Sequence, residues 1–257
     1  MIVAATVAAG AGSGVAHADS FVGTDGNDDL SGTVRPDQLF GEDGNDRISG
    51  LGANDYLEGG PGSDMLAGGT GADLLIGGTG DDELKAGSGS DVVYAGAGDD
   101  TIVGEGGNDV LFGQGGDERM FGGDGNDRLY TGTGGGFADG GNGNDWVSGD
   151  SVLPSEKTTL EGSSGNDRLV STGPGSFTVN GDSGNDRIVT SRGADDVFGG
   201  SGRDRIATGA GDDQVHTADG QRDVVTCGRG NDTVEADKLD KLSGCEHVTR
   251  VNIQLGG

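Results

Sequence analysis

The sequence has few of the side chains from which most catalytic centres are built. Only three histidines occur, His17, His216 and His247, and none lies close to another. Without grouped histidines or thiols, the chain lacks the ligands that transition metals prefer. HExxH and GxSxG are absent too, which removes the common zinc-protease and serine-hydrolase signatures. These absences predict that the protein is not an enzyme.

Basic and aromatic residues are scarce as well. Lys and Arg total 16 against 44 Asp and Glu, which gives a net charge of −28, and aromatic residues make up 4% of the chain. Such a charge repels nucleic acid and anionic membranes and favours cations as partners. No segment is long and apolar enough to cross a bilayer. Low hydrophobicity with high net charge also occurs in disordered chains, but a fixed sequence period argues against disorder.

The N-terminal segment has the features of an export signal. Its short apolar stretch ends in Ala16-His17-Ala18, a small-x-small cleavage pattern before Asp19. We therefore expect a signal peptide over residues 1–18 and a secreted protein, with a simple small-residue tail as the alternative. In an exported protein, Cys227 and Cys245 are expected to form a disulfide, and two free buried thiols are the alternative.

Glycine and aspartate dominate what is present, and they follow a nine-residue period. Residues 59–84 read GGPGSDMLAGGTGADLLIGGTGDDEL, with Gly at positions 1, 2 and 4 of each unit, Asp at position 6 and an aliphatic residue at position 8. Fourteen such units follow one another from Gly23 to Ser148. After a stretch without the pattern, GDSVLPSEKTTLE at 149–161, a second array continues with one-residue slips.

The residue types of this unit suit a turn that binds a hard cation. Glycine reaches backbone conformations with positive φ and allows close approach of other groups. Aspartate and main-chain carbonyls are hard oxygen ligands, and Ca²⁺ takes six to eight of these in flexible geometry. An EF-hand loop is excluded, because its best match, Asp25-x-Asn27-x-Asp29, has Leu30 where that loop requires glycine.

The unit GGxGxDxUx resembles the RTX, or hemolysin-type, calcium-binding nonapeptide repeat over residues 23 to about 235. The resemblance implies an all-β parallel β-roll, a β-solenoid in which each nonapeptide is one turn plus one short strand and two of them form a coil of 18 residues. It also implies that each Ca²⁺ lies between stacked turns, bridged by an aspartate from each turn and by main-chain carbonyls. The metal ligands carried over at position 6 are Asp28, Asp37, Asp46, Asp55, Asp64, Asp73, Asp82, Asp91, Asp100, Asp109, Asp127, Asp145, Asp167, Asp186, Asp195, Asp204, Asp213, Asp223 and Asp232.

With two units per coil, alternate aspartates fall on opposite edges of the roll. The first edge begins at Asp28 and departs from the pattern at Glu118, Gly136 and Ser176. The second edge begins at Asp37 and has no departure. Assigning Asp167 to the second edge assumes that two turns span the interruption, and the opposite assignment stays open. Adjacent pairs of aspartates predict up to about 15 calcium ions.

These features divide the chain into five predicted segments. They are a signal peptide (1–18), a first repeat array (19–148), an insert loop (149–161), a second array (162–235) and a C-terminal cap (236–257). The insert is expected to bulge from the roll as a loop, and a partner-binding role is an alternative. Lys238, Lys241 and Arg250 give the cap the polar outer face that a terminal repeat needs.

The predicted function is calcium binding by a secreted, non-catalytic β-roll. One aliphatic residue in nine buries too little surface to offset the backbone entropy of ordering the chain, so folding is expected to depend on the ions. An adhesive or surface-interaction solenoid, or an accessory module of a secreted enzyme system, is the alternative. Any protein or glycan partner is left open.

Overall fold

A computed structural model describes residues 19–252, and all of its regular elements are strands. The predicted signal peptide, residues 1–18, lies outside the described residues. Within 19–252 no helix is long and apolar enough to span a membrane. The chain divides into two compact units, and we call the part up to Asp124 the N-terminal unit and the part from Gly125 the C-terminal unit.

The N-terminal unit consists of two parallel sheets whose strands alternate along the chain. Odd-numbered strands form one sheet and even-numbered strands form the other. Partners lie 18 residues apart, as in Leu66 opposite Leu84. The strands are β1 (Asp19–Val22), β2 (Asp29–Ser31), β3 (Asp37–Phe40), β4 (Arg47–Gly52), β5 (Tyr56–Pro61), β6 (Met65–Thr70), β7 (Leu74–Thr79), β8 (Glu83–Ser88), β9 (Val92–Ala97), β10 (Thr101–Gly106), β11 (Val110–Gly115) and β12 (Glu118–Asp124).

The C-terminal unit has the same construction with less regular spacing. One sheet has the order β13-β15-β17-β20-β23-β25-β27, the other has the order β14-β16-β18-β21-β24-β26-β28, and β19 pairs with β22. The strands are β13 (Arg128–Thr133), β14 (Gly136–Asn142), β15 (Trp146–Asp150), β16 (Lys157–Glu161), β17 (Arg168–Thr172), β18 (Ser176–Asn180), β19 (Ser183–Gly184), β20 (Arg187–Val189), β21 (Asp196–Phe198), β22 (Ser201–Gly202), β23 (Arg205–Ala207), β24 (Gln214–His216), β25 (Val224–Thr226), β26 (Thr233–Ala236), β27 (Lys241–Ser243) and β28 (His247–Arg250).

The strands are long enough to place more than one residue on the inner face of the roll. In β6, both Leu66 at position 8 and Gly68 at position 1 face inward, and Asp64 just before the strand is also buried. Position 8 is therefore not the only inward position of the repeat. Side chains alternate along a strand, so positions 6, 8 and 1 share the inner face. The core thus holds an aliphatic residue, a carboxylate and a glycine from each repeat.

Two segments without a visible repeat nevertheless belong to the sheets. Residues 149–161, expected to bulge as an insert loop, include β16, which pairs with β14 and β18 and buries Leu160. Residues from 236 onward, expected to form a cap, include β27 and β28, which pair with β25 and β26. In both segments the strands persist although the Gly-Asp turn signal is lost. The predicted fold class, an all-β parallel β-roll, is confirmed.

Candidate metal centre

The position-6 aspartates of the N-terminal unit form two continuous hydrogen-bonded ladders. Each backbone N–H donates to Oδ1 of the aspartate one coil further on, over 2.7–3.2 Å on the second edge and 2.7–2.8 Å on the first edge. The second-edge ladder already begins at Asp19, which sequence reasoning missed because it lies before the first complete repeat unit at Gly23. The predicted separation of the aspartates into two edges is therefore correct in this unit.

In the C-terminal unit the second-edge ladder also runs without a break. Asp145 N–H donates to Asp167 Oδ1 over 2.7 Å across a 22-residue separation, so Asp167 does follow Asp145 on the second edge. The ladder joins Asp127, Asp145, Asp167, Asp186, Asp204, Asp223 and Asp240, with distances of 2.7–3.0 Å. Sequence reasoning missed Asp240, because it follows Asp223 after 17 residues without the glycine signature.

The second oxygen of most of these carboxylates is buried and has no hydrogen-bond partner. Asp28 and Asp37 are exceptions, because their Oδ2 atoms accept hydrogen bonds from Thr24 and Thr33. A buried charged oxygen without a partner is costly, so it points to a missing cation. The described aspartates with such an Oδ2 are Asp46, Asp55, Asp64, Asp73, Asp82, Asp91, Asp100, Asp145, Asp167, Asp186, Asp195, Asp204, Asp213, Asp223 and Asp232.

Glycine at position 1 leaves an open space beside this free oxygen, which we call the glycine cradle. A Cβ added to Gly68 would lie 2.5 Å from Asp73 Oδ2 and 2.5 Å from the carbonyl oxygen of Ala86. A Cβ on Gly162 would lie 2.7 Å from Asp167 Oδ2 and 2.9 Å from the Gly181 carbonyl oxygen. A carboxylate oxygen and a main-chain oxygen therefore converge where the side chain is missing, and this donor chemistry fits Ca²⁺.

Close stacking makes the buried carboxylates reluctant to ionise. Burial raises the pKa of Asp82 to about 7. The neighbouring carboxylates add to this rise, and a backbone N–H that donates to the carboxylate opposes it. The same causes raise the pKa of Asp167 and that of Asp186 to about 7, and burial with the Asp91 carboxylate raises the pKa of Asp73 to about 6. A cation beside these groups would remove the penalty by compensating their charge.

Glu118 interrupts the first edge at the end of the N-terminal unit. Its carboxylate is buried, and neither oxygen has a hydrogen-bond partner. Burial and the nearby Asp100 carboxylate raise the pKa of Glu118 to about 8, above any value resolved for the aspartates. The extra methylene of Glu118 thus places its carboxyl group where it accepts no ladder hydrogen bond.

The first edge of the C-terminal unit lacks carboxylates on three consecutive levels. Strand register places Gly136, Thr158 and Phe177 at position 6. The assignment of Ser176 to this position was wrong by one residue, because the preceding turn is one residue longer and Phe177 N–H donates to Asp195 Oδ1 over 2.9 Å. Phe177 is 2% exposed and packs beside Leu160, so an aromatic ring occupies the place of the carboxylate.

Position 1 differs on this edge as well. Where the second edge has glycine at 140, 162, 181 and 199, the first edge has buried side chains that carry a Cβ. They are Thr131, Ser171, Thr190, Thr208 and Cys227. The glycine cradle is therefore filled beside Asp195 and Asp213, although both carboxylates remain in the hydrogen-bonded ladder.

The predicted disulfide is present in the C-terminal unit. Cys227 and Cys245 are joined by a 2.04 Å S–S bond across 18 residues. The bond lies directly before Glu246, whose Oε2 accepts a hydrogen bond of 3.1 Å from Asp232 N–H. Glu246 thus ends the first-edge ladder only 14 residues after Asp232, and sequence reasoning missed it because the repeat is shortened.

Within residues 19–252 no group of three or more His, Cys, Asp or Glu side chains converges as a ready metal site. The carboxylates instead meet in pairs along each edge. Any ion held there would need main-chain oxygens to complete its coordination, and the carbonyls of the glycine cradle are placed to supply them.

Comparison with known proteins agrees with this arrangement. The family model described as RTX calcium-binding nonapeptide repeat (4 copies) matches residues 13–34, 22–57, 31–66, 58–93, 67–102, 94–129 and 180–215, more than half of the chain. Residues 130–179, which contain Gly136, Thr158 and Phe177, are not among the matched ranges. A comparison with curated proteins found no match. The chain belongs to the RTX calcium-binding nonapeptide repeat family, and this membership implies calcium binding by its β-roll.

Proposed function

We propose that the protein is a secreted, non-catalytic β-roll whose folding is coupled to binding of many calcium ions. The observation that carries the proposal is the series of buried Oδ2 atoms without hydrogen-bond partners, most of which lie beside a glycine cradle. Pairs such as Asp55 with Asp73 and Asp167 with Asp186 would each hold one ion together with main-chain oxygens. These residues supply hard, preorganised oxygens and exclude water from them.

The two edges are proposed to differ in calcium affinity. Glycine cradles lie beside most second-edge aspartates and beside most first-edge aspartates of the N-terminal unit. The exceptions are Asp91, Asp100 and Asp223, where Ala86, Ala95 and Thr217 are buried at position 1. On the first edge of the C-terminal unit, Thr190 and Thr208 fill the cradles beside Asp195 and Asp213. The predicted ligands Asp195, Asp213 and Asp232 are therefore expected to form the weakest sites.

Coupling of folding to binding follows from electrostatics. Metal-free ladders would stack ionised carboxylates about 5 Å apart inside the roll, the usual spacing of neighbouring strands. Burial opposes ionisation, as the raised pKa values of Asp82 and Asp186 indicate. Cations that bind only the folded chain shift the equilibrium towards it by mass action.

A calcium titration of the metal-free protein at pH 7.5 tests the proposal. Circular dichroism should report a cooperative gain of β structure, and equilibrium dialysis should find many ions bound per chain. Magnesium at equal ionic strength is the control, because its demand for octahedral geometry does not suit these turns. A metal-free chain that is already fully β at this pH would contradict the proposal.

Asp91 and Asp100 allow a matched test in the N-terminal unit. Asp91 lies between Asp73 and Asp109 on the second edge, whereas Asp100 lies between Asp82 and Glu118 on the first. Asp91→Ala should therefore release more calcium and lower the melting temperature further than Asp100→Ala. Equal losses would contradict the assignment of ions to pairs of aspartates.

A further inference from the structure

Positive charge is concentrated in one part of this acidic chain. Twelve of the 16 lysines and arginines lie in the C-terminal unit. Several occupy position 7 on the outer face of the sheet that contains β13 to β27. In strand order these are Arg128, Arg168, Arg187, Arg205 and Lys241. The proposed calcium function gives these cations no role.

Four of the cations surround one depression in the surface, which we call the cationic pocket. It is lined by Arg203, Asp204, Arg205, Arg222, Val224 and Lys241. Arg205, Val224 and Lys241 occupy the same register position on three neighbouring strands. At the usual strand spacing, the backbones of Arg205 and Lys241 are about 10 Å apart. Arg203 and Arg222 precede β23 and β25 by two residues, so they approach the pocket from the second edge.

The four cations have no ion-pair partner within the described part of the chain. None of them forms an ion pair within 4 Å among residues 19–252, and all four are exposed. The acidic lining residue, Asp204, is 1% exposed, and its Oδ1 accepts a hydrogen bond of 2.8 Å from Asp186 N–H, so it belongs to the ladder. Like charges crowded together repel one another, and a bound anion would relieve this repulsion.

We propose that the cationic pocket binds a phosphate or sulfate monoester group. Arginine forks donate paired hydrogen bonds to tetrahedral oxyanions, and three of the four cations are arginines. Four cationic side chains around one point favour a tetrahedral oxyanion, which offers three terminal oxygens as acceptors, over a carboxylate with two. Val224, which is 40% exposed between Arg205 and Lys241, supplies an apolar surface for the carbon side of an ester.

The anion site rests on the proposed calcium function, because it lies against the second-edge ladder. Asp204, Asp223 and Asp240 stand directly beside the pocket residues in sequence, and without cations their charge would repel an anion. Bound calcium would compensate that charge and strengthen anion binding. Because coupling between two ligands is reciprocal, the anion should also increase calcium affinity.

Calorimetric titration of the calcium-loaded full chain tests the proposal. The probes are inorganic sulfate and glycerol 3-phosphate, at low ionic strength and at a buffered free calcium concentration that avoids precipitation. We expect saturable binding of one anion per chain, weakened at least about tenfold by the double substitution Arg205→Gln with Arg222→Gln. The control is Arg47→Gln, also at position 7 but in the N-terminal unit, which should leave the affinity unchanged. No binding by the calcium-loaded wild type, or equal binding by the double variant, would overturn the proposal.

The calcium content of every variant separates this test from that of the proposed function. A wild-type chain that takes up no calcium contradicts the proposed function, whereas a calcium-loaded chain that binds neither probe contradicts only the anion site. Competition then identifies the source of the monoester. Two competitors of glycerol 3-phosphate are compared, namely phosphatidic acid in phosphatidylcholine vesicles and heparin fragments. If the vesicles compete more strongly, the source is a lipid phosphate, and if heparin competes more strongly, the source is a sulfated glycan. Heparin binding that survives the double substitution would place the anion site elsewhere and overturn the proposal.

Discussion

The two edges of the C-terminal unit use the same strands but different interiors. On the second edge, an unbroken ladder of carboxylates runs from Asp127 to Asp240, and glycine cradles accompany four of its members. On the first edge, three consecutive levels carry Gly136, Thr158 and Phe177, and threonine, serine and the disulfide-bonded Cys227 fill position 1. One edge leaves space beside several of its carboxylates, and the other is filled mainly by protein atoms.

This difference teaches that position 1 matters as much as position 6. At Asp195, the threonine five residues earlier occupies the space that Gly162 leaves open beside Asp167, so we expect weaker ion binding there. Burial raises the pKa of Asp195, and the N–H of Phe177 opposes that rise. A ladder N–H of the same kind serves the second-edge aspartates, so the two edges differ in position 1 rather than in this hydrogen bond.

Exchanging the position-1 residues between the edges should have the largest effect on stability and on bound calcium. In Gly162→Thr, the new Cβ would lie 2.7 Å from Asp167 Oδ2 and 2.9 Å from the Gly181 carbonyl oxygen, so the cradle is lost. Overpacking of this kind costs about 1–3 kcal/mol, and the release of ions bound near Asp167 adds to it. Thr190→Gly, the matched change on the first edge, should keep all ions and cost about 1 kcal/mol or less.

Bound calcium per chain and the melting temperature at saturating calcium measure this exchange. Gly162→Thr is expected to lower both bound calcium and the melting temperature, whereas Thr190→Gly is expected to keep or increase bound calcium. If the two variants lost equal numbers of ions, position 1 would have no part in metal binding.

Removal of one carboxylate from each edge should have the next largest effect. Asp186 has aspartates on both sides, whereas Asp195 has Asp213 on one side and Phe177 on the other. Asp186→Asn should therefore lose two ions and Asp195→Asn one at most. At free calcium near 100 times Kd, each lost ion removes about 2.7 kcal/mol of stability. Native mass spectrometry counts the ions, and asparagine retains the oxygen that accepts the ladder hydrogen bond.

Sequence periodicity sufficed to predict the fold and the separation of the aspartates into two edges, because both depend on turn residues. Glycine and aspartate recur wherever a turn needs close backbone approach, and an 18-residue coil then sets which turns stack. The same reasoning correctly placed Asp167 after Asp145 across a segment without repeats. The template could also mark Glu118 as a departure, since it replaces a position-6 aspartate.

Where turns vary in length, the pattern no longer determines which residue faces inward. Phe177 rather than Ser176 occupies position 6, because burial of its ring beside Leu160 compensates for a longer turn. Leu160 itself lies in a strand that has no glycine-aspartate turn before it, so the template had no signal there. Glu246 joins the first-edge ladder after a shortened turn, where the disulfide fixes the chain instead.

Loss of the disulfide should destabilise the C-terminal unit without releasing calcium. Cys227 occupies position 1 of the first edge, where a glycine cradle would otherwise stand. A cross-link that closes a loop of 18 residues contributes about 3 kcal/mol through the entropy of the unfolded chain. The double substitution Cys227→Ser with Cys245→Ser should lower the stability of the calcium-loaded chain by about that amount. A parallel drop in calcium content would show instead that the first edge depends on ions after all.

The smallest expected effect is a change in the stability of the metal-free chain with pH. Burial raises the pKa of Asp167, Asp186 and Asp223 on the second edge to about 7, so the folded state holds protons that the unfolded state has released. Their contribution to stability is fully present below the ordinary aspartate pKa of about 4 and is lost as pH rises through 7. In a calcium chelator, circular dichroism should therefore show more β structure at pH 5 than at pH 7.5, whereas in saturating calcium the melting temperature should be lower at pH 5 because protons compete with the ions. Asp186→Asn should reduce the pH dependence of the metal-free chain more than Asp195→Asn if the second edge carries the larger buried charge, and an equal reduction would contradict the difference between the edges.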